Sequence, residues 1–255
     1  MEQRQARVDR AHAARHAGLA EGARGVYGAR VRCVLLHGFA GDPASWEDVP
    51  IDGERVALPG HVGGGPVAGD WASNLAAIAA RIGVVDAVIG YSLGARVALG
   101  LVAAGHAPRA VLISVNPGIA DGERAARRAG DAAWARRARD SGVADFIAAW
   151  QAQPLFASQA RAPGERRERR HARRLALEPE QLARSLETMG LAEMPDYRAA
   201  VDDRVALIAG ADDAKFVAIA RTLPARLELI ADSGHDPLLE QPVALAAAIQ
   251  RALAG

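Results

Sequence analysis

The chain has 255 residues, half of them hydrophobic and 24% charged, with 31 basic against 30 acidic side chains and a net charge of +1. Length and apolar content suit one α/β domain with a sizeable core, and they exclude a disordered, collagen-like or disulfide-stapled chain. The balanced charge argues against a nucleic-acid coat, and no apolar run reaches the roughly 18–20 residues of a membrane span.

Residues 1–28 are rich in Ala and Arg and lack the apolar stretch of a secretory signal, so they read as an N-terminal extension, helical or poorly structured. His12 and His16 stand four apart there, a metal-compatible spacing on a helix, but no third ligand lies nearby. From residue 29 to 255 a single domain is expected. Cys33 is the lone cysteine, so no intrachain disulfide forms and a reducing cytoplasm is the expected setting. Short apolar runs at 31–36, 55–58, 87–89, 110–115, 205–209 and 226–230 are each bounded by turn formers. Strands buried on both faces of a parallel sheet look like this. Segments of helical length lie between them at 70–82, 93–105, 214–223 and 241–253. Strands alternating with helices predict an α/β fold with a doubly wound sheet. Residues 121–200 break the alternation: they read as helices throughout and predict a helical cap over the sheet. Six arginines crowd residues 166–174, a run expected to form a solvated helix face.

Gly90-Tyr91-Ser92-Leu93-Gly94 lies between a predicted strand and a predicted helix, the context a nucleophile elbow requires. Its glycines keep side chains out of the turn, leaving the serine hydroxyl above the sheet. A serine needs an oriented base to react at neutral pH. In this arrangement an acid and a histidine follow the serine, each on the loop after a late strand. His235 fits the base; His171 has no strand before it. Asp213 fits the acid through its Gly-x-x-Asp spacing from Gly210, with Asp212 as the alternative. The N–H groups of Leu93 and Phe39 are candidates for an oxyanion hole. Gly63-Gly64-Gly65 has no helix after it and reads as a loop, and no metal cluster or phosphate loop is visible.

These motifs resemble the α/β-hydrolase superfamily from about residue 30 to the C-terminus. Finer matches resemble the 2-succinyl-6-hydroxy-2,4-cyclohexadiene-1-carboxylate synthases of menaquinone biosynthesis. They are the Gly90–Arg96 elbow, the Asn116-Pro117-Gly118-Ile119 turn, residues 123–127, Trp150 to Ser158, and the Ala211–Phe216 acid loop. The resemblance implies a lyase that eliminates pyruvate from a succinylated cyclohexene carboxylate, with Ser92, Asp213 and His235 as triad and no cofactor. It implies a small polycarboxylate substrate held by Arg96, Arg127 and Arg174, with Tyr91, Trp150 and His37 as further contacts, and neither nucleic acid nor membrane as partner. Ala95 departs from the family's second glycine, and Asp236 from the asparagine that often follows its histidine. A carboxylesterase or C–C bond hydrolase would share the triad, and the oligomeric state stays open.

Overall fold

A computed structural model describes residues 31–254; the expectations for residues 1–28, with His12 and His16, lie outside the described residues. Six strands build one sheet: β1 Cys33–Leu36, β2 Glu54–Val56, β3 Ala87–Tyr91, β4 Ala110–Ile113, β5 Val205–Gly210 and β6 Arg226–Ile230. Their order is β2-β1-β3-β4-β5-β6, and every neighbouring pair is parallel. The chain steps outward from β1 to β2, then returns to place β3 on the other side of β1. Such a reversal opens a crevice beyond the C-terminal strand ends, where ligands bind in open α/β sheets.

The helices in chain order are α1 Trp71–Ile82, α2 Leu93–Ala103, α3 Asp121–Gln151, α4 Gly164–Arg174, α5 Pro179–Met189, α6 Ala214–Arg221, α7 Pro237–Glu240 and α8 Pro242–Ala254. The strand pleat sends alternate side chains to opposite faces. Val34, Leu36, Val88 and Leu112 join one core with Leu75, Ile78, Leu99 and Val102 of α1 and α2. Leu35, Ile89, Val111 and Ile113 join the other with Leu245 and Ile249 of α8. Both faces of the central strands are therefore dry, which is why they are apolar without alternation. The two edges differ from expectation. In β2, Glu54 and Arg55 are exposed, and in β6 Arg226 and Leu229 are exposed. An edge strand has a neighbour on one side only, and polar side chains there discourage pairing with another chain.

α1 shows how local sequence sets an element. Asp70 caps it by accepting the Ser73 N–H at 2.7 Å. Its buried Trp71, Leu75, Ile78 and Ile82 recur at helical spacing, and Gly83, with φ of 60°, ends it. Between β4 and β5, α3, α4 and α5 form the cap. α3 breaks at Gly142, whose φ of 77° and ψ of 173° are open to glycine alone at no cost. The break lets the segment after it bring Phe146 and Trp150 against Phe39, in a cluster shared with Leu182 and Leu186 of α5.

Candidate active site

β3 ends at Tyr91 and α2 begins at Leu93, so Ser92 alone makes the turn, with φ of 53° and ψ of −107°. A non-glycine residue in that region carries about 1–3 kcal/mol of strain. Its own N–H donates to Ile113 O at 2.9 Å, which pins the turn to β4. A Cβ on Gly90 would strike the backbone of Gly94, and one on Gly94 would strike the carbonyls of Leu36 and His37. Both glycines are thus required by close packing. Ala95 is fully buried in the core, where its methyl is accommodated.

Ser92 Oγ donates to His235 Nε2 at 3.2 Å, and His235 Nδ1 donates to Asp213 Oδ2 at 2.7 Å. Asp213 is 6% exposed and His235 3%. Asp213 follows β5 and caps α6, its Oδ1 accepting the Phe216 N–H at 3.4 Å. Asp212 points elsewhere: it is exposed and pairs with Arg161 at 2.6 Å. The Phe216 ring lies 4.4 Å from the His235 ring, and Tyr91 lies 5.6 Å from it. Ser114, which sequence reasoning missed, adopts φ of 52° after β4 and donates from Oγ to His235 O at 3.1 Å. No motif announces it; the only signal is its place at a strand end next to the elbow. His171 is remote from this chain of bonds and meets Gln151 at 3.1 Å.

Ser92 opens into a cavity of about 840 Å³ beneath the cap. Phe39, Leu93, Tyr91 and Trp150 line it, and so do Arg96, Arg127 and Arg174. Neither the Phe39 nor the Leu93 N–H donates to an acceptor among the described residues. Trp150 stacks on Phe146 with centroids 5.7 Å apart and tilts against Phe39 at 4.8 Å. Arg96 donates to Met189 O at 2.9 Å and lies 6.0 Å from the Trp71 ring centroid. Arg174 donates from Nε to Ala40 O at 3.1 Å. Neither arginine is ion-paired to a carboxylate among the described residues. Burial, with Arg127 nearby, pushes Arg96 down to about 9, and burial with Arg170 nearby pushes Arg174 down to about 10. Arg127 differs: its side chain is 37% exposed and its Nε donates to Asp131 at 2.8 Å. Among the described residues no group of three or more His, Cys, Asp or Glu side chains is placed to hold a metal ion.

Two expectations need correction. His37 does not line the cavity. It is fully buried behind the loop, where its Nδ1 donates to Gly38 O at 2.8 Å and its Nε2 accepts the Leu58 N–H at 3.0 Å. With both ring nitrogens engaged, no donor is left for a substrate. The arginine run of α4 is not a solvated face. Arg169 and Arg173 pair with Asp42, Glu47 and Asp48 of the segment after β1. Arg170 is buried and joined to Asp236, and Gln159 donates to the same carboxylate at 3.0 Å. The aspartate beside His235 thus has a cap arginine as its partner.

Residues 33–248 match the alpha/beta hydrolase family. A 2-succinyl-6-hydroxy-2,4-cyclohexadiene-1-carboxylate synthase of Klebsiella pneumoniae subsp. pneumoniae is 36% identical over 240 residues, covering 87% of this chain and 93% of its own. The enzyme of that name from Escherichia coli is 33% identical, covering 86% and 92%. The structure of MenH from S. aureus superposes with a TM-score of 0.79 at 27% identity, covering 89% of this chain and 95% of that one. The chain belongs to the α/β hydrolase family and, within it, to the family of 2-succinyl-6-hydroxy-2,4-cyclohexadiene-1-carboxylate synthases.

Proposed function

We propose that this protein is a carbon–oxygen lyase that eliminates pyruvate from a succinylated cyclohexene carboxylate, forming the cyclohexadiene product of its relatives in menaquinone biosynthesis. One observation carries the reading: Arg174, which is buried, and Arg96, which is half-buried, line the same cavity as Ser92, and neither is ion-paired among the described residues. A buried charge without a partner costs several kcal/mol, and a carboxylated substrate supplies what is missing. A guanidinium matches a carboxylate fork in shape as well as charge. A neutral ester would have no use for two such groups.

In this reading His235 takes the Ser92 proton, with Asp213 fixing its tautomer and balancing its charge. Ser92 then removes a ring proton next to the succinyl carbonyl. The electron pair moves through the ring as the C–O bond to the pyruvyl group breaks, and the departing enol takes up a proton to become pyruvate. The Phe39 and Leu93 N–H groups hold the charge that develops on the carbonyl oxygen. The single buried Cys33 is consistent with a reducing cytoplasm. Purified protein assayed for pyruvate release and diene absorbance, beside p-nitrophenyl acetate cleavage, tests the proposal. Elimination with weak esterase activity is expected. Strong esterase activity with no elimination would make the protein a hydrolase on the same triad.

A further inference from the structure

We propose that His61 is a positioning residue for the Phe39 N–H, acting with His37 as a reciprocal brace between two loops; the proposal rests on the reading of Phe39 as an oxyanion donor. The loop after β1 carries His37 and the loop after β2 carries His61. Each ring reaches across to the other loop. His37 Nε2 accepts the Leu58 N–H at 3.0 Å, and His61 Nε2 accepts the Ala40 N–H at 3.0 Å. Each ring also donates from Nδ1 to its own loop, His37 to Gly38 O at 2.8 Å and His61 to Pro59 O at 3.0 Å. The rings meet edge to face with centroids 5.0 Å apart, and both are at most 4% exposed.

These contacts hold the two peptide planes on either side of Phe39. A trans peptide is rigid and points its N–H opposite to its carbonyl. In the first plane, His37 Nδ1 and the Gly41 N–H anchor the Gly38 carbonyl, so the Phe39 N–H must face the other way. In the second plane, His61 holds the Ala40 N–H. Ala40 itself sits at φ of 54°, a conformation an alanine avoids unless it is held. Its carbonyl accepts from Arg174, so this residue is tied at both ends. Burial keeps both imidazoles neutral, His37 down at about 3 and His61 at about 4, which preserves each Nε2 as an acceptor. The Phe39 ring rests edge-on against His61 at 5.7 Å, filling the space a tilted loop would need.

The test compares His61→Phe, which keeps a ring but loses the acceptor, with His61→Gln, which keeps an acceptor. Losing an oxyanion donor outright costs about 10²–10³-fold in kcat, so misaiming one is expected to cost about 10–100-fold. For His61→Phe, kcat for pyruvate release should fall by that amount, while KM and the affinity for succinate stay within about twofold. Amide hydrogen exchange should quicken in residues 37–41, and His61→Gln should restore most of both. A rise in KM at unchanged kcat, or a Gln variant no better than Phe, overturns the proposal. If the Phe variant fails to fold, the Gln variant decides: a kcat loss beyond about tenfold at an unchanged melting temperature overturns it. If the wild-type protein releases no pyruvate, the proposed reaction fails separately. The brace is then read from p-nitrophenyl acetate cleavage and from exchange in residues 37–41, and unchanged exchange in His61→Phe overturns it.

Discussion

Asp213 and Asp212 are adjacent in the chain and unequal in the fold. Asp213 is buried against His235, whereas Asp212 is exposed on Arg161. Asp213→Asn is expected to lower kcat by about 10⁴-fold, the cost of losing a triad acid, and Asp212→Asn by less than threefold or so. Steady-state assays of the two variants check this, and reversed effects would reassign the acid. The arginines are unequal too. A buried charge-assisted contact to a carboxylate contributes about 1.5–3 kcal/mol, or roughly 10–150-fold in kcat/KM. Arg96→Met and Arg174→Met should each show a loss of that size. Arg127, partly exposed and already on Asp131, should show less. Neither Met variant breaks an ion pair among the described residues, and each loses a bond to a backbone carbonyl, so its melting temperature should change little while activity falls. A large fall in melting temperature would mean that these arginines serve packing rather than substrate.

At the scale of elements, α4 is the piece that locks the cap to the sheet. Arg170 meets Asp236 in a buried pair, so Arg170→Met would strand a buried carboxylate and cost about 3–5 kcal/mol. Arg169→Met, which breaks half-exposed pairs, should cost under about 1 kcal/mol. Urea midpoints of the two variants measure the difference, and adding Asp236→Asn to Arg170→Met should recover part of the loss. This helix also marks where the sequence stops being readable. The strands, the elbow and the acid and base loops are local patterns of a few residues, and their boundaries moved by no more than two or three positions. Most partners of α4 are not local: Arg169 and Asp48 lie 121 residues apart. The run reads as solvated because the helix itself carries only Glu165 and Glu168 against six arginines; Arg169 meets Glu165 at 3.0 Å, and the other carboxylates paired with the run come from far along the chain. The sequence misplaces His37 for the same reason. Its place at the end of β1 was legible, but its acceptor role depends on Leu58, 21 residues away.

For the molecule as a whole, the two braced histidines make acid the weak direction. Burial lowers His37 to about 3 and His61 to about 4 from an ordinary value of 6.5. Below pH 6.5 the unfolded chain protonates both rings, while the folded chain holds them neutral until its own values are reached. The unfolded state then binds more protons, so stability rises with pH and is lost as pH falls from 6.5 towards 4. With two groups the slope approaches about 2.7 kcal/mol per pH unit. Against a typical stability of about 5–15 kcal/mol, that loss is large enough to unfold the protein near its lower end. Paired carboxylates such as Glu47 and Glu187, held below their ordinary 4.5 by arginine hydrogen bonds that outweigh the opposing effect of burial, also lose stabilisation as they protonate. Their contribution is present above 4.5 and disappears below it; Glu240, which burial raises above 4.5, works against the rings just above that value, but two histidines outweigh one carboxyl up to 6.5. Urea unfolding across pH 4.5–7 should therefore show a steep rise in stability with pH. His61→Gln, which keeps the acceptor but removes one titrating ring, should cut that slope to about half. A flat profile between pH 5 and 7 would mean that the rings accept protons in place, and the brace would then not be a neutral pair.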